Sequence, residues 1–346
     1  MVRSAGSAPT MQDVARLAGV SAKTVSNVLA DYKHVSVSMR QRVMSAVREL
    51  DYEINVSARN LRSGRTRVIG LAVPELSQAY FAELADAVIR AAAARGYTVL
   101  IEQTGADRAT EISAIAAMRR HSIDGLIFSP LALGPEEAKY LDVDFPLVVL
   151  GERIPNSAAD HITMSNVAAV RATTEHLLAL GRRRIAVIGA HPHDPVGTGA
   201  LRLQGYEQAV NSYGIDVDPT LVVSVPLWHR IQGAEAIERL LASGVDFDAA
   251  VCFNDALALG AMRVLQRNGH RIPEDVAVTG FDDIEDSRFS TPTLTTISPG
   301  RDQSATLAVD MLTARIEGTS ERNDPAEVEV QYSLIIREST VGVSAA

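Results

Sequence analysis

Thr10-Met11-Gln12-Asp13-Val14-Ala15-Arg16-Leu17-Ala18-Gly19-Val20-Ser21-Ala22-Lys23-Thr24-Val25-Ser26-Asn27-Val28-Leu29 holds two helix starts with a glycine between them. Thr10, followed three residues on by Asp13, reads as an N-cap with a first-turn carboxylate, opening a helix whose Val14, Leu17 and Ala18 share one face. Gly19 takes the left-handed conformation that ends this helix, and Ser21 caps a second one carrying Val25, Val28 and Leu29 inward. Two short helices joined by a glycine turn have the geometry of a helix-turn-helix, whose second helix enters the DNA major groove. The outward positions of that helix are Ala22, Lys23, Ser26 and Asn27, all small or hydrogen-bonding. A helical hairpin of the same pattern also occurs inside ordinary globular proteins, so the flanking sequence decides.

Beyond Val35, either Ser36 or Ser38 caps a third helix with Val43, Val47 and Leu50 at core spacing and Arg40, Arg42 and Arg48 outside. The next stretch, Asn55 to Thr66, is basic and almost without core residues, as expected of a linker that orders against a partner. Charge separates this end from the rest. Residues 1–66 hold ten Lys and Arg against five Asp and Glu, a local charge of +5, in a 346-residue chain of net charge −9. An acidic protein with one basic end suits phosphate neutralisation confined to that end, with binding that weakens as salt rises.

The run through Asp13-Val14-Ala15, Gly19-Val20-Ser21 and Thr24-Val25-Ser26, then Val35-Ser36, Val43, Leu50, Tyr52 and the segment of Asn55, Ala58 and Leu61, resembles the headpiece of the lactose-repressor/galactose-repressor transcription regulators. The similarity extends from Thr10 to about Ser339. It implies a homodimer whose recognition helices read two half-sites of double-stranded operator DNA, with paired hinge helices in the central minor groove. On the matching positions it implies base-edge contacts for Ala22, Lys23 and Asn27, and phosphate contacts for Ser21, Thr24, Ser26 and Asn55. Leu61 is then the apolar wedge at the central base step, with Ala58 beside it, and Thr10, His34 and Arg59 complete the DNA-contacting set. Two departures matter. Many members carry arginine where this chain has Asn27, and Asn pairs with adenine where Arg pairs with guanine. Ile54 stands where proline commonly precedes the hinge asparagine.

From Arg67 onward, short apolar runs alternate with amphipathic ones. Val68–Val73, Thr98–Ile101, Gly125–Phe128 and Leu147–Leu150 read as buried strands, and the pattern restarts with Ile185–Ile188, Leu221–Ser224, Ala250–Phe253 and Val276–Thr279. Apolar strands separated by helices mean parallel sheets covered on both faces. The expected fold is an all-α helix-turn-helix headpiece followed by an α/β core of two doubly wound parallel-sheet lobes, similar to periplasmic sugar-binding proteins. The expected division is a disordered tail at 1–9, the DNA-binding domain at 10–54, the hinge linker at 55–66, the effector-binding core at 67–340 and a tail at 341–346. Lobe 1 is placed at about 67–163 plus 294–326, and lobe 2 at about 164–293 plus 327–340.

Open α/β sheets bind ligands at the carboxyl ends of their strands. Asn254-Asp255 and Asp282-Asp283 follow two of these strands directly. A polyol needs fixed donors and acceptors beside a flat apolar wall, which such residues and aromatic rings supply. By resemblance, Arg202, Asn254 and Asp282 match the hydrogen-bonding positions of the family pocket and Trp228 matches its aromatic wall. Tyr80, Phe81 and Phe128 are further expected cleft residues. Gly151 and Arg301 depart from the lactose-type pattern, which often has a carboxylate and an aromatic there; with Glu152 and Arg153 nearby, the extra arginine leaves a different sugar or an anionic ligand open. Asp255 and Asp283 read as capping or interlobe hydrogen-bonding residues.

Other classes fit less well. Gly197-Thr198-Gly199 meets Arg202 where a dinucleotide fingerprint needs its third glycine, and no Walker-type Gly-Lys-Ser/Thr run occurs, so neither an enzyme nor a cofactor is expected. His191-Pro192-His193-Asp194 has no third partner for a metal, and no metal site is expected. Met1 to Pro9 has no apolar stretch of signal-peptide length, and one cysteine, Cys252, agrees with a reducing compartment. The expectation is a cytoplasmic, nucleoid-associated regulator with no membrane partner, released from DNA by a sugar-like effector; a corepressor of purine or sugar-phosphate type stays open beside it.

Overall fold

The computed structural model describes residues 9–29, 32, 34–52, 65–120, 123–155, 157–191, 197–320 and 324–342. The chain divides into two compact units, Met1–Thr66 and Arg67–Ala346.

In the first unit the local signals act as read. Helix α1, Met11–Ala18, opens with a complete capping box between Thr10 and Asp13 and closes at Gly19, whose φ is +63°. Helix α2, Ala22–Leu29, starts with Ser21 Oγ accepting from Thr24 N at 3.1 Å. Ser36, rather than Ser38, caps α3, Val37–Glu49, by accepting from Met39 N. Val14, Ala15, Ala18, Val25, Val28, Val43, Ala46 and Tyr52 form the buried core, with Leu29, Val47 and Leu50 packed partly against it. Each buried valine contributes roughly 1.5–3 kcal/mol. One inward assignment fails: Leu17 is 46% exposed, because Ala15 and Ala18 take the inner face and rotate position 17 outward.

The second unit begins with a parallel six-stranded sheet in the order β11-β5-β4-β3-β1-β2. These strands are β1 Val68–Val73, β2 Thr98–Gln103, β3 Gly125–Phe128, β4 Leu147–Leu150, β5 Asp160–Met164 and β11 Glu327–Val330. Helices α4 Ala79–Ala94, α5 Arg108–Arg120 and α11 Arg301–Glu317 belong to this lobe, and Leu84, Val88, Val309 and Leu312 fill the core beside β1. A second parallel sheet runs β7-β6-β8-β9, from β6 Ile185–Ala190, β7 Val222–Ser224, β8 Ala249–Cys252 and β9 Ala277–Thr279. Its helices are α6 Asn166–Ala179, α7 Thr198–Ser212, α8 Arg230–Ser243 and α9 Asp255–Arg267; the short α10 Asp286–Phe289 follows. Helices α8 and α9 pack through Gly233 and Gly260, where an added Cβ would run into the Leu257 and Arg230 carbonyls.

The lobe boundaries need correction. Strand β10, Thr296–Ser298, pairs antiparallel with β12, Ser333–Ile335, and both pack into the second lobe's core through Ile297 and Leu334. Leu294 is buried in that lobe too, so residues 294–298 leave lobe 1. Conversely β11 pairs in parallel with β5, so 327–330 leave lobe 2. The chain therefore crosses between lobes three times, after β5, after β10 and after β11. At the end, a short helix α12, Glu338–Val341, includes a residue assigned to the tail.

Candidate functional site

On the first unit, Ser21, Ala22 and Lys23 are exposed at the start of α2, and Thr24, Ser26 and Asn27 are half-buried. The Ser21 and Thr24 hydroxyls bond each other at 2.9 Å, which fixes both at the helix N-terminus, where phosphate is favoured. Thr10 is exposed with its hydroxyl donating to Asp13 Oδ2 at 2.7 Å, and Asp13 in turn pairs with Arg16. His34 is exposed, its ring edge-on to Tyr32 at 5.4 Å. Asn55, Ala58, Arg59 and Leu61 lie outside the described residues, as do residues 1–8 and 343–346 of the expected tails.

In the second unit, the carboxyl ends of the strands meet in a cleft of about 250 Å³ lined from one lobe by Ser77, Gln78 and Tyr80 and from the other by His229, Asn254 and Asp282. Asn254 follows β8 and caps α9, accepting from Leu257 N at 2.8 Å while its amide donates to the Trp228 carbonyl at 3.0 Å. Trp228 donates from its indole to Gly189 O at 3.1 Å and stacks on His191 at 5.9 Å. Pro192, His193 and Asp194, the remainder of that histidine-containing loop, lie outside the described residues. Arg202 is buried on α7 over the Phe281 ring, 3.4 Å from its centroid, and donates to Asn166 Oδ1 at 2.7 Å and to the Phe253 carbonyl. Burial lowers the pKa of its guanidinium, opposed by the negative charges of Asp282 and Glu152.

Asp282 is the unusual member. Its φ is +122°, a conformation that side-chain-bearing residues rarely adopt, and it is 8% exposed. Among the described residues no hydrogen bond reaches its carboxylate. Burial raises its pKa well above the usual carboxylate range, against the pull of Arg202 and Arg301. Burial likewise pushes the Tyr80 phenol up, with Asp282 and Glu152 adding to the effect.

Two aromatic expectations are corrected. Phe128 has no exposed surface and packs with Leu126 and Val149 beneath the sheet, so it offers a ligand nothing. Phe81 is buried in the first lobe's core, and only its neighbour Tyr80 lines the cleft. Arg301 opens α11 and is engaged by Glu83 Oε2 at 2.6 Å. Asp255 and Asp283 bond within the second lobe: Asp255 accepts from Ile284 N, Ser287 Oγ and Thr296 Oγ1, and Asp283 accepts from Arg337.

Arg301 donates to the Asp282 carbonyl at 3.4 Å across the cleft, and three further bonds that join the lobes come from residues outside the expected ligand set. Glu75 meets His229 at 2.9 Å, Glu83 accepts from Glu285 N at 2.9 Å, and Glu152 accepts from Thr198 Oγ1 at 3.1 Å. Glu75 sits two residues past β1, and His229 is the N-cap of α8. Positions so close to strand and helix ends were the available signal.

A helix-turn-helix unit carried with a two-lobed clamp of this kind defines a ligand-responsive DNA-binding regulator. Residues 10–55 match the family of bacterial regulatory proteins of the lacI type, and residues 174–340 match the periplasmic binding protein-like domain. The ribose operon repressor of Haemophilus influenzae is 32% identical over 95% of this chain and 98% of its own. The solved structure of a LacI-family protein from Sanguibacter keddieii is 48% identical, with a TM-score of 0.74 over 80% of this chain and all of that one. The Lac repressor dimer bound to operator and the anti-inducer ONPF superposes with a TM-score of 0.82 at 28% identity, over 96% of this chain and 99% of that one. The chain belongs to the LacI family of transcription regulators.

Proposed function

We propose that the protein is a repressor that binds a pseudo-palindromic operator as a homodimer and is released by a small neutral polyol, a sugar or sugar derivative, held in the interlobe cleft. The observation that carries the effector half is the Asp282 carboxylate, buried, strained and without a protein hydrogen-bond donor among the described residues. Because Asp282 lines the cleft, its carboxylate is placed to accept from a ligand hydroxyl. The guanidiniums argue for neutrality of the ligand. Arg202 is engaged by Asn166 and Phe253, Arg301 by Glu83, and Arg153 by the Leu133 carbonyl at 2.8 Å. Each has a protein acceptor already, and Arg301 Nε, buried without one among the described residues, is left to meet a ligand oxygen.

Regulation here is binding without covalent chemistry, carried out in the cytoplasm where the operator is. In the relative described above, a dimer holds operator and small molecule together. An effector shifts the equilibrium only by binding one lobe arrangement more tightly than the other. Because Ser77 and Gln78 come from one lobe and Asn254 and Asp282 from the other, a bound polyol is sensitive to the angle between them.

The test is a thermal-shift screen of sugars on wild type and Asp282→Asn, paired with genomic footprinting. A sugar that raises the wild-type melting temperature and weakens footprints, with both effects lost in Asp282→Asn, is the expected result. No protected sites at physiological salt overturns the DNA half, and a sugar response intact in Asp282→Asn overturns the effector half.

A further inference from the structure

A second cavity, of about 420 Å³, shares no lining residue with the cleft at Asp282. It lies beside the chain crossings between lobes after β5 and β11. One wall is His161 and Thr163 of β5 with Glu327 and Glu329 of β11, from the first lobe; the other is the start of α6 and the outer side of α7, from the second.

His161 is 3% exposed, and its Nε2 meets the Gly151 carbonyl, which can only accept, so that nitrogen carries the proton. In the neutral imidazole Nδ1 is then an acceptor, and it is buried with no hydrogen-bond partner among the described residues. Glu327 Oε1 lies 3.9 Å from it. That separation is too long for a direct bond, yet a single N–H-bearing atom at about 2.9 Å from each would bridge both.

The surrounding charge has the same sign preference. Glu152, Glu327 and Glu329 line the cavity, against Arg171, whose guanidinium is taken by Glu175 at 2.7 Å. The N-terminal end of α6, which favours anions, already faces Glu329 through Ser165 Oγ at 2.7 Å and Glu152 through Met164 N at 2.9 Å. Val167, Ala168 and Leu201 supply an apolar flank.

We propose that this cavity is a second ligand site, for a small organic cation of the alkylammonium class, separate from the effector cleft at Asp282. The ammonium bridges His161 Nδ1 and Glu327, and the alkyl part lies on the second lobe. Because its walls come from different lobes, occupancy biases their angle as the effector does.

The experiment compares n-butylammonium chloride with sodium butyrate and sodium chloride at equal concentration on the full-length protein, read by thermal shift and calorimetry. Expected is saturable binding of butylammonium alone, weakened at least tenfold by Glu327→Gln and by Glu327→Gln with Glu329→Gln, and unchanged in Asp282→Asn. Glu327 is exposed at its side chain, so its substitution leaves folding intact, which circular dichroism checks. Equal effects of butyrate or sodium chloride, absence of saturation, or binding indifferent to the Glu327 and Glu329 substitutions overturns the site. A failed sugar response at Asp282 leaves this result standing, since the two cavities are scored by different variants.

Discussion

The guanidinium of Arg202 lies over the Phe281 ring, its Cζ 3.4 Å from the centroid, while Nε donates to Asn166 Oδ1 at 2.7 Å. One side chain thereby ties α6, α7 and the segment after β9 together beneath the cleft. A desolvated cation over a ring contributes about 2 kcal/mol, and the fork that also bonds the Phe253 carbonyl has no equivalent in lysine. Arg202→Lys is expected to lose about 2 kcal/mol in urea denaturation and to abolish the sugar-induced thermal shift. A loss under 0.5 kcal/mol would show that the stack contributes little.

Asp255 gives a pH dependence with a definite sign. It is fully buried, and burial raises its pKa to about 7, opposed by the hydrogen bonds from Ser287, Thr296 and Ile284. The folded protein thus holds a proton between about pH 4 and 7 that the unfolded chain has released. Stability falls as pH rises through that window, and the full penalty stands above it. Relative to Asp255→Asn, wild type is expected to weaken by up to about 1.4 kcal/mol per pH unit between pH 5 and 7, then run parallel. Urea midpoints for both proteins across pH 5 to 8 decide it; a constant difference would place the carboxyl at an ordinary pKa.

Local signals were legible and long-range partnerships were not. Thr10, Asp13, Gly19, Ser21 and Ser36 act within one turn of themselves, so their residue types alone specify the caps. Phe128 ends a strand, which points to the cleft, yet period 2 puts it on the face of Leu126, in a layer separate from Ile127. Tyr80 and Phe81 are adjacent on α4, where a 100° step sends one ring to the cleft and the next to the core. Strand β5 has no apolar run to mark it, since it opens on Asp160, whose charge is met by Arg315 at 2.9 Å, 155 residues away. The lobe exchange of β10 and β11 is likewise set by sheet partners remote in sequence. Asn254 and Asp282 could be found because they follow strand ends, while Glu75, Glu83 and His229 acquire meaning only once the lobes face each other.

Gly19 tests the turn of the reading unit. Its φ of +63° suits glycine, and no atom of the described residues lies within 4 Å of an added Cβ, so Gly19→Ala costs backbone strain alone, about 1 kcal/mol. Hydrogen exchange in full-length protein should quicken about fivefold for amides of α1 and α2, with amides of the second unit unchanged. Equal acceleration in both units would refute a local origin.

Lys23 and Asn27 bear on what the second helix reads. Lys23 is exposed one residue past the start of α2, and Asn27 is one turn further on, its carbonyl held by Tyr32 N at 3.0 Å. An asparagine amide matches the N6/N7 edge of adenine, and arginine the O6/N7 edge of guanine, each pairing being worth about 1–3 kcal/mol of discrimination. Asn27→Arg should therefore move one position of each half-site from adenine to guanine in selection from random duplexes at fixed salt. Lys23→Ala should relax the preference at a neighbouring position, whereas a phosphate contact would only lower affinity uniformly and reduce the salt slope by about one. If both variants select the wild-type consensus, the outward face of α2 is not the surface that reads bases.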